Sequence, residues 1–165
     1  MCDPVLCPQS QNRIKRIGRA DLLIGIPTYR NAATVGMVVQ TALDGVTAHF
    51  GDLRTVLINA DGGAGDDTRQ AVADATTDSP IPVVIGGYTG NAGRGSAVRA
   101  ILQAALDLSA RVVVVLDAHT TSITPDWIAA LARPILDDQV DLMMPRYRWP
   151  LPSGGLGDLI FYPLT

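Results

Sequence analysis

The sequence has few of the features that mark membrane, secreted or nucleic-acid-binding proteins. No uninterrupted apolar run approaches the roughly 20 residues of a membrane helix, and residues 1–21 hold no apolar core of signal-peptide length. Thirteen basic residues stand against sixteen acidic ones, and no basic stretch is interleaved with aromatic residues, as binding to a phosphate backbone requires. We therefore expect a cytoplasmic protein with no membrane span and no nucleic-acid partner.

Three common site motifs are also missing. Cys2 and Cys7 are the only cysteines, and because no second Cys/His pair lies nearby, a zinc site is disfavoured. No Gly-x-Gly-x-x-Gly follows the first apolar run, which disfavours a dinucleotide-binding dehydrogenase. The spacing of Gly90 and Gly95 imitates a P-loop, but Ser96 stands where the lysine of that motif belongs. A P-loop-like nucleotidase is therefore kept only as a remote alternative.

Apolar strand patterns alternate with helical patterns from residue 22 onward. With 47% hydrophobic and 18% charged residues, the 165-residue chain can bury the core of one domain. The alternation predicts an α/β fold over residues 21–165, with a mostly parallel sheet and helices on both faces, after a flexible leader at residues 1–20. The predicted strands are 22–26, 54–60, 82–86, 112–116 and 140–145, and the predicted helices are 32–50, 66–75, 96–109 and 124–136. The helix at 96–109 is expected to bury Val98, Ile101, Leu102, Ala105 and Leu106.

Two polar side chains, Asp117 and His119, come directly after the apolar strand at 112–116. Residues two apart can turn to the same side as the chain leaves a strand, so this pair could hold one divalent ion that neutralises a diphosphate. The simpler alternative is an aspartate that caps a turn, with a histidine beside it. The motif alone does not decide between the two.

Glycine-rich motifs follow two other predicted strands. Asp61 and Gly62 follow the second strand, where glycine lets the backbone approach a planar ligand and a carboxylate can accept an imide or ribose hydrogen bond. The alternative is a turn in which the aspartate bonds its own backbone. Gly93, Arg94 and Gly95 open a helix, which suits phosphate, although an ordinary strand-to-helix loop also uses glycine. Because the carboxyl ends of parallel strands form the ligand crevice, these motifs are predicted to meet there.

Five segments stand in the order Ile26-Pro-Thr-Tyr-Arg-Asn-Ala-Ala-Thr-Val35, Asn59-Ala-Asp-Gly-Gly63, Gly93-Arg-Gly-Ser-Ala-Val-Arg-Ala-Ile101, Ser122-Ile-Thr-Pro-Asp-Trp-Ile128 and Tyr162-Pro-Leu-Thr165. Together they resemble the family-2-like nucleotide-sugar glycosyltransferases of GT-A fold, and within them the glucosyl-3-phosphoglycerate synthase and mannosylglycerate synthase group. The resemblance implies a Rossmann-like GT-A domain over residues 21–165 that holds a nucleotide diphosphate sugar. It also implies a truncated fold, with the acceptor-binding half missing.

The resemblance assigns a set of residues to the donor. Pro27 and Tyr29 would flank the base, and Asp61 would bond the edge of uracil or guanine. The loop around Arg94 would lie beside the diphosphate. The complete implied donor-binding set is Pro27, Tyr29, Asn31, Asp61, Gly62, Gly93, Arg94 and Gly95.

The resemblance also implies the catalytic and metal-binding residues. Asp117 and His119 match the metal-binding pair of the family, and Asp117 and Arg94 would be catalytic, because a cation and a guanidinium stabilise charge on the leaving diphosphate. The family has a second aspartate where this chain has His119, and imidazole suits Mn²⁺, Co²⁺ or Zn²⁺ better than Mg²⁺. The predicted cofactor is Mg²⁺ or Mn²⁺, with Co²⁺ and Zn²⁺ left open. Arg94 replaces a lysine, and the stretch at 146–155 replaces a basic segment on the acceptor side of the relatives.

The predicted reaction is transfer of a hexose from a UDP- or GDP-hexose to a small hydroxylated or phosphorylated acceptor. Since the family pattern continues past the point where Thr165 ends this chain, two partners are left open: a separate acceptor-binding half, or a second copy of the chain. The alternative function is a catalytically degenerate module or subunit that binds a nucleotide sugar without turnover.

Overall fold

The computed structural model describes residues 5–145, which form a four-stranded sheet and five helices. The strand order is β3-β2-β1-β4, and all neighbouring strands are parallel, which confirms the predicted α/β, Rossmann-like class. None of the helices in this part of the chain is long and apolar enough to cross a membrane. The elements are α1 (Pro8–Ile17), β1 (Leu22–Thr28), α2 (Val35–His49), β2 (Thr55–Asp61), α3 (Thr68–Ala75), β3 (Val83–Gly87), α4 (Arg94–Asp107), β4 (Val112–Val115) and α5 (Pro125–Leu136).

Different helices cover the two faces of the sheet. Alternate residues of a strand point to opposite faces, so Leu22, Ile24 and Ile26 of β1 pack with α2, α3 and α5, whereas Leu23 packs with α1 and α4. Burial on both faces explains why β1 is a continuous apolar run with no polar alternation.

Two glycines allow helices to approach their neighbours closely. A Cβ atom at Gly25 in β1 would overlap Cγ2 of Ile101 on α4. A Cβ atom at Gly45 in α2 would lie 2.6 Å from Cγ1 of Ile128 and 2.6 Å from the carbonyl oxygen of Pro125, both on α5. Both crossings therefore require a residue without a side chain.

Residues 5–17 correct the prediction of a flexible leader at the start of the chain. Ile14 of α1 is 1% exposed and packs in the same cluster as α4, and Val5 and Leu6 are buried beside it. The Thr89 N–H donates a hydrogen bond of 2.8 Å to the Val5 carbonyl oxygen. The sequence understates this packing because Ile14 is the one deeply buried apolar residue of α1, too few to give a helical periodicity.

The predicted fifth strand at 140–145 is not formed, so within the described residues β4 is an edge of the sheet. After α5 the chain turns at Asp138, which has a left-handed φ of 54°. Leu142 and Met144 are exposed, and a cavity of about 310 Å³ lies between this segment and β4. The apolar pattern resembles a strand, but no ladder pairs it with the sheet.

The helix α4 presents a different face to the sheet from the one predicted. Ile101 and Ala105 are buried as expected, but Leu102 and Leu106 are exposed. The buried face consists of four alanines and Ile101, and it is Ile101 that packs against Gly25. Hydrophobicity alone favours the larger leucines and therefore misplaces the face by about one residue.

Candidate functional site

A cavity of about 120 Å³ lies beyond the carboxyl ends of β1 and β4, at the start of α4. The structure brings seven of the predicted site residues to its walls, whereas Asp61, Gly62 and Gly95 do not line it. The lining residues are Pro27, Thr28, Tyr29, Asn31, Tyr88, Gly93, Arg94, Ala97, Asp117 and His119. The edge of the sheet is thus the place where the motifs converge, as the topology of parallel strands requires.

Asp117 and Arg94 form an ion pair across this cavity. Arg94 Nη1 donates to Asp117 Oδ2 at 2.5 Å, and the backbone N–H of His119 donates to the other carboxylate oxygen at 3.0 Å. Burial raises the pKa of Asp117, but the His119 N–H and the Arg94 guanidinium together outweigh it and hold that pKa below its ordinary value. Asp117 is therefore an ionised carboxylate at neutral pH.

The imidazole of His119 is held by Asn31. The side-chain nitrogen of Asn31 lies 3.1 Å from each ring nitrogen of His119, so whichever ring nitrogen is unprotonated can accept its hydrogen bond. Asn31 is itself fixed, since its amide oxygen accepts from the Tyr29 N–H at 2.8 Å and its backbone N–H donates to the Thr68 hydroxyl at 2.9 Å. The role that the structure gives Asn31 is therefore to orient His119.

The backbone between Asp117 and His119 is tied to the start of α2. The Thr34 hydroxyl donates to the Ala118 carbonyl oxygen at 2.7 Å. Thr34 precedes α2 at the N-cap position, and its side chain bonds the neighbouring loop and not the helix. Helix α2 and the loop after β4 are thus positioned together.

Asp61 lies at the same edge of the sheet but does not line the cavity. Its side chain is 4% exposed and accepts three hydrogen bonds: from the Thr28 hydroxyl at 3.1 Å, the Gly63 N–H at 3.0 Å and Arg69 Nε at 2.8 Å. This corrects the expectation that Asp61 and Asp117 open onto one pocket. The carboxylate holds its own turn, which is the alternative that the sequence left open, and its contact with a base stays a prediction.

Gly62 separates two tyrosine side chains at the rim of the cavity. A Cβ atom at Gly62 would lie 2.9 Å from Cδ2 of Tyr29 and 3.0 Å from the hydroxyl oxygen of Tyr88. Tyr29 is about half exposed, and the guanidinium carbon of Arg30 lies 5.5 Å from the centre of its ring. Gly62 thus serves the site indirectly, by leaving room for the rings.

Tyr88 is a cavity residue that the sequence motifs did not reveal. Its hydroxyl accepts a hydrogen bond from the Gly93 N–H at 2.9 Å and donates one to the Gly93 carbonyl oxygen at 3.1 Å. The one available signal was its position directly after β3, at the same sheet edge as the other site residues. A single tyrosine in a glycine-rich loop has no pattern of its own.

Two side chains that line the cavity, Asp117 and His119, are of kinds that bind divalent cations. Across residues 5–145, no three His, Cys, Asp or Glu side chains are grouped as a protein-held metal site would need. Mg²⁺ that binds with a nucleotide, however, takes only one or two carboxylates and completes its shell with phosphate oxygens and water. The pair therefore fits a cation that arrives with a diphosphate, once Arg94 has released Asp117, and does not fit a cation held by the protein alone.

A parallel sheet with polar side chains gathered beyond the carboxyl ends of its strands defines a Rossmann-like α/β domain with a ligand crevice at that edge. The chain belongs to glycosyl transferase family 2, whose family model matches residues 23–156. This match places it in the glycosyltransferase class of enzymes and spans all of the site residues described above. No curated protein matches the chain.

Proposed function

We propose that this domain binds the diphosphate of a nucleotide sugar in the cavity between Arg94 and Asp117 and transfers its hexose to a small hydroxylated or phosphorylated acceptor. The observation that carries the proposal is that a guanidinium, a carboxylate and an imidazole all line this one cavity, at a helix N-terminus. A guanidinium binds phosphate oxygens bidentately, and a carboxylate with an imidazole binds the cation that accompanies them. The proposed donor is a UDP- or GDP-hexose.

The start of α4 adds a second source of positive potential. This helix has 14 residues, and the first N–H groups of a helix have no partner within it. The helix dipole favours an anion at this end. Arg94 is the first residue of α4, and its side chain is mostly exposed, so it can turn from Asp117 toward a phosphate without moving the helix.

The size of the cavity supports a role in holding part of the donor. At about 120 Å³ it is smaller than the roughly 300–1,000 Å³ of a pocket that holds a whole small molecule. A diphosphate fits within such a volume, whereas the base and the sugar lie on the open rim. Tyr29 is the exposed aromatic side chain at this rim and provides a surface on which a base can stack.

Each polar residue of the cavity has a distinct proposed task. Asp117 and His119 would hold Mg²⁺ or Mn²⁺, which supplies positive charge to the leaving diphosphate when it is bound. Arg94 pairs with the phosphate oxygens and stabilises the negative charge that grows there as the glycosidic bond breaks. Asn31 keeps the His119 ring in place and limits the reorganisation that binding requires.

Calorimetric titrations with UDP-glucose, GDP-mannose and ATP, with and without Mn²⁺, test this proposal. We expect tighter binding of one nucleotide sugar than of ATP, and a further gain when Mn²⁺ is present. Turnover is measured by the release of nucleoside diphosphate, which accompanies transfer or slow hydrolysis of the sugar. A preference for ATP over both nucleotide sugars would contradict the proposal.

Two matched pairs of variants locate the site on the chain. Arg94→Met and Asp117→Asn remove the proposed phosphate and metal contacts, whereas Arg99→Met and Asp107→Asn change exposed residues of helix α4 outside the cavity. We expect Arg94→Met to weaken nucleotide-diphosphate binding and Asp117→Asn to remove the effect of Mn²⁺. Equal effects in the control variants would refute the assignment.

A non-catalytic nucleotide-sugar-binding module is the second candidate function. The observation that favours it is the ion pair itself, because Arg94 neutralises Asp117, and no group of three metal-binding side chains occurs within residues 5–145. The two functions differ in one measurement. A module binds the nucleotide sugar and leaves it intact over hours, whereas the enzyme releases nucleoside diphosphate at a rate that Asp117→Asn lowers.

A further inference from the structure

Tyr88 is bound to the backbone at the start of α4 through its hydroxyl group. That hydroxyl both accepts from the N–H and donates to the carbonyl oxygen of Gly93, the residue that precedes α4. The carbonyl oxygen of Gly93 also accepts the first hydrogen bond of the helix, from the Ala97 N–H at 3.1 Å. Glycine has no side chain with which to cap the helix, so the tyrosine fixes this peptide from outside.

The two hydrogen bonds between Tyr88 and Gly93 lie directly before Arg94, whose side chain faces the cavity. Arg94 follows Gly93 with no residue between them, and its guanidinium reaches Asp117 across the cavity that Tyr88 also lines. A change in the position of the Gly93 peptide therefore moves the origin of the Arg94 side chain and the reach of its guanidinium.

Tyr88 is itself contacted by Leu6, near the start of the described residues, and by the turn that follows β2. It forms an isolated antiparallel bridge with Leu6, and the next residue, Thr89, donates its N–H to Val5. On the other side Gly62 approaches so closely that a methyl group there would contact the tyrosine hydroxyl at 3.0 Å. Tyr88 thus has contacts on both sides in the absence of a ligand.

From these contacts we infer that Tyr88 is a positioning residue for the diphosphate: its hydroxyl sets the Gly93 peptide and, through it, the reach of Arg94. The inference rests on the proposed binding of a diphosphate in this cavity. A merely structural tyrosine would stabilise the fold and leave the affinity for phosphate unchanged. A positioning residue affects phosphate binding only while Arg94 is present.

The test combines Tyr88→Phe with Arg94→Met in a double-mutant cycle. Phenylalanine keeps the ring and loses both hydrogen bonds to Gly93. The probes are inorganic pyrophosphate, UDP and GDP, with uridine and guanosine as ligands that lack phosphate, and Kd is measured at fixed salt in the presence of Mn²⁺. We expect Tyr88→Phe to weaken pyrophosphate, and whichever of UDP and GDP binds, by about five- to tenfold, the effect of one or two lost hydrogen bonds. Binding of the nucleosides should stay within about twofold, since they make no contact through Arg94.

In the Arg94→Met background the same substitution should change the pyrophosphate Kd by less than about twofold, because the residue through which Tyr88 acts is gone. Amide exchange over residues 89–97 should be faster in Tyr88→Phe than in the unmodified chain. Ser79→Ala is the matched control, because the Ser79 hydroxyl clamps both backbone groups of Ile81, at 2.9 and 3.3 Å, in the loop before β3. Ser79 lies outside the cavity, so its loss should not change the Kd of pyrophosphate.

Three results would overturn the inference: losses that add in the double variant, an equal loss for nucleosides and diphosphates, or no pyrophosphate binding by the unmodified chain. The proposed function fails separately, if pyrophosphate shows the expected cycle but nucleotide sugars bind no more tightly than pyrophosphate. If a nucleotide sugar is turned over and the Tyr88 and Arg94 effects add, the function stands and the role of Tyr88 does not.

Discussion

Replacing Asp61 by asparagine tests whether this residue stabilises the turn after β2 or binds a ligand. The carboxylate is buried and accepts hydrogen bonds from the Thr28 hydroxyl, the Gly63 N–H and Arg69 Nε. Asparagine has the same shape, but one of its two terminal groups is a donor and neither is charged. The substitution therefore changes the charge and the hydrogen-bond pattern of the site while leaving its packing in place.

The size of the effect follows from the three bonds. In Asp61→Asn the new amide oxygen can face Gly63 and Arg69, which turns two charge-assisted hydrogen bonds into weaker ones at a cost of about 1 kcal/mol each. The new amide nitrogen then faces the Thr28 hydroxyl oxygen, which already accepts from Asn59 Nδ2 at 2.9 Å. Since Arg69 is half exposed and can return to water, no charge is left buried. We expect a loss of about 2–3 kcal/mol in the free energy of unfolding.

Urea unfolding followed by circular dichroism measures this loss, with Arg69→Met as the comparison. Arg69→Met removes one of the three bonds from a half-exposed side chain, so it should cost about 1 kcal/mol or less. The reasoning fails if Asp61→Asn lowers the free energy of unfolding by less than about 0.5 kcal/mol while it still weakens nucleotide binding. Such a result would show that the Asp61 carboxylate binds the nucleotide base and does not stabilise the turn.

Four further substitutions test the packing of the core and of the rim of the cavity. Ile14→Ala should lower the free energy of unfolding by about 2–3 kcal/mol in urea titrations, because the side chain is buried against the core; a change near zero would indicate that residues 1–20 are the flexible leader first expected. Gly45→Ala should cost about 1–3 kcal/mol by forcing α2 and α5 apart, whereas Gly36→Ala on the same helix meets only ordinary contacts and should be neutral or stabilising by up to about 1 kcal/mol. If both glycine variants have the same melting temperature, the close crossing is not real. Gly62→Ala should weaken UDP or GDP binding several-fold with little change in melting temperature, since the methyl group displaces Tyr29 and Tyr88 at the rim; an unchanged Kd would exclude a role for those rings.

The sequence predicts the sheet well because each strand has a short apolar run, which in β1 and β2 is buried on both faces. Four of the five predicted strands form, and β1 and β4 start at the predicted residues. The start of α5 is also predicted, since Pro125 at the first helical position and Asp126 in the first turn are local signals. The predicted fifth strand is not formed. A strand needs a hydrogen-bonded neighbour, and the apolar pattern at 140–145 does not indicate whether it has one.

The site is predictable only to the level of the sheet edge. Parallel topology brings the loops after β1, β3 and β4 together, so Arg94, Asp117 and His119 meet without any knowledge of side chains. The hydrogen bonds of Asp61 depend instead on Arg69, which lies eight residues later in α3 and pairs with the Asp61 carboxylate. The role of Tyr88 likewise depends on the geometry of one loop. Contacts of this kind have no sequence period and emerge only from the three-dimensional packing.

The polar groups of the cavity are hydrogen-bonded to one another, so a ligand has to replace some of these contacts when it binds. Arg94 pairs with Asp117, Asp117 accepts from the His119 N–H, and His119 meets Asn31. In the proposed function, a diphosphate with its cation would replace the Arg94–Asp117 contact by two new ones, Arg94 to phosphate and Asp117 to the cation. Neither exchange is favourable alone, because a phosphate without a cation leaves Asp117 unpaired beside an anion, and a cation without a phosphate displaces Arg94 into solvent. Binding of the two is therefore expected to be cooperative, with each raising the affinity for the other by the same factor.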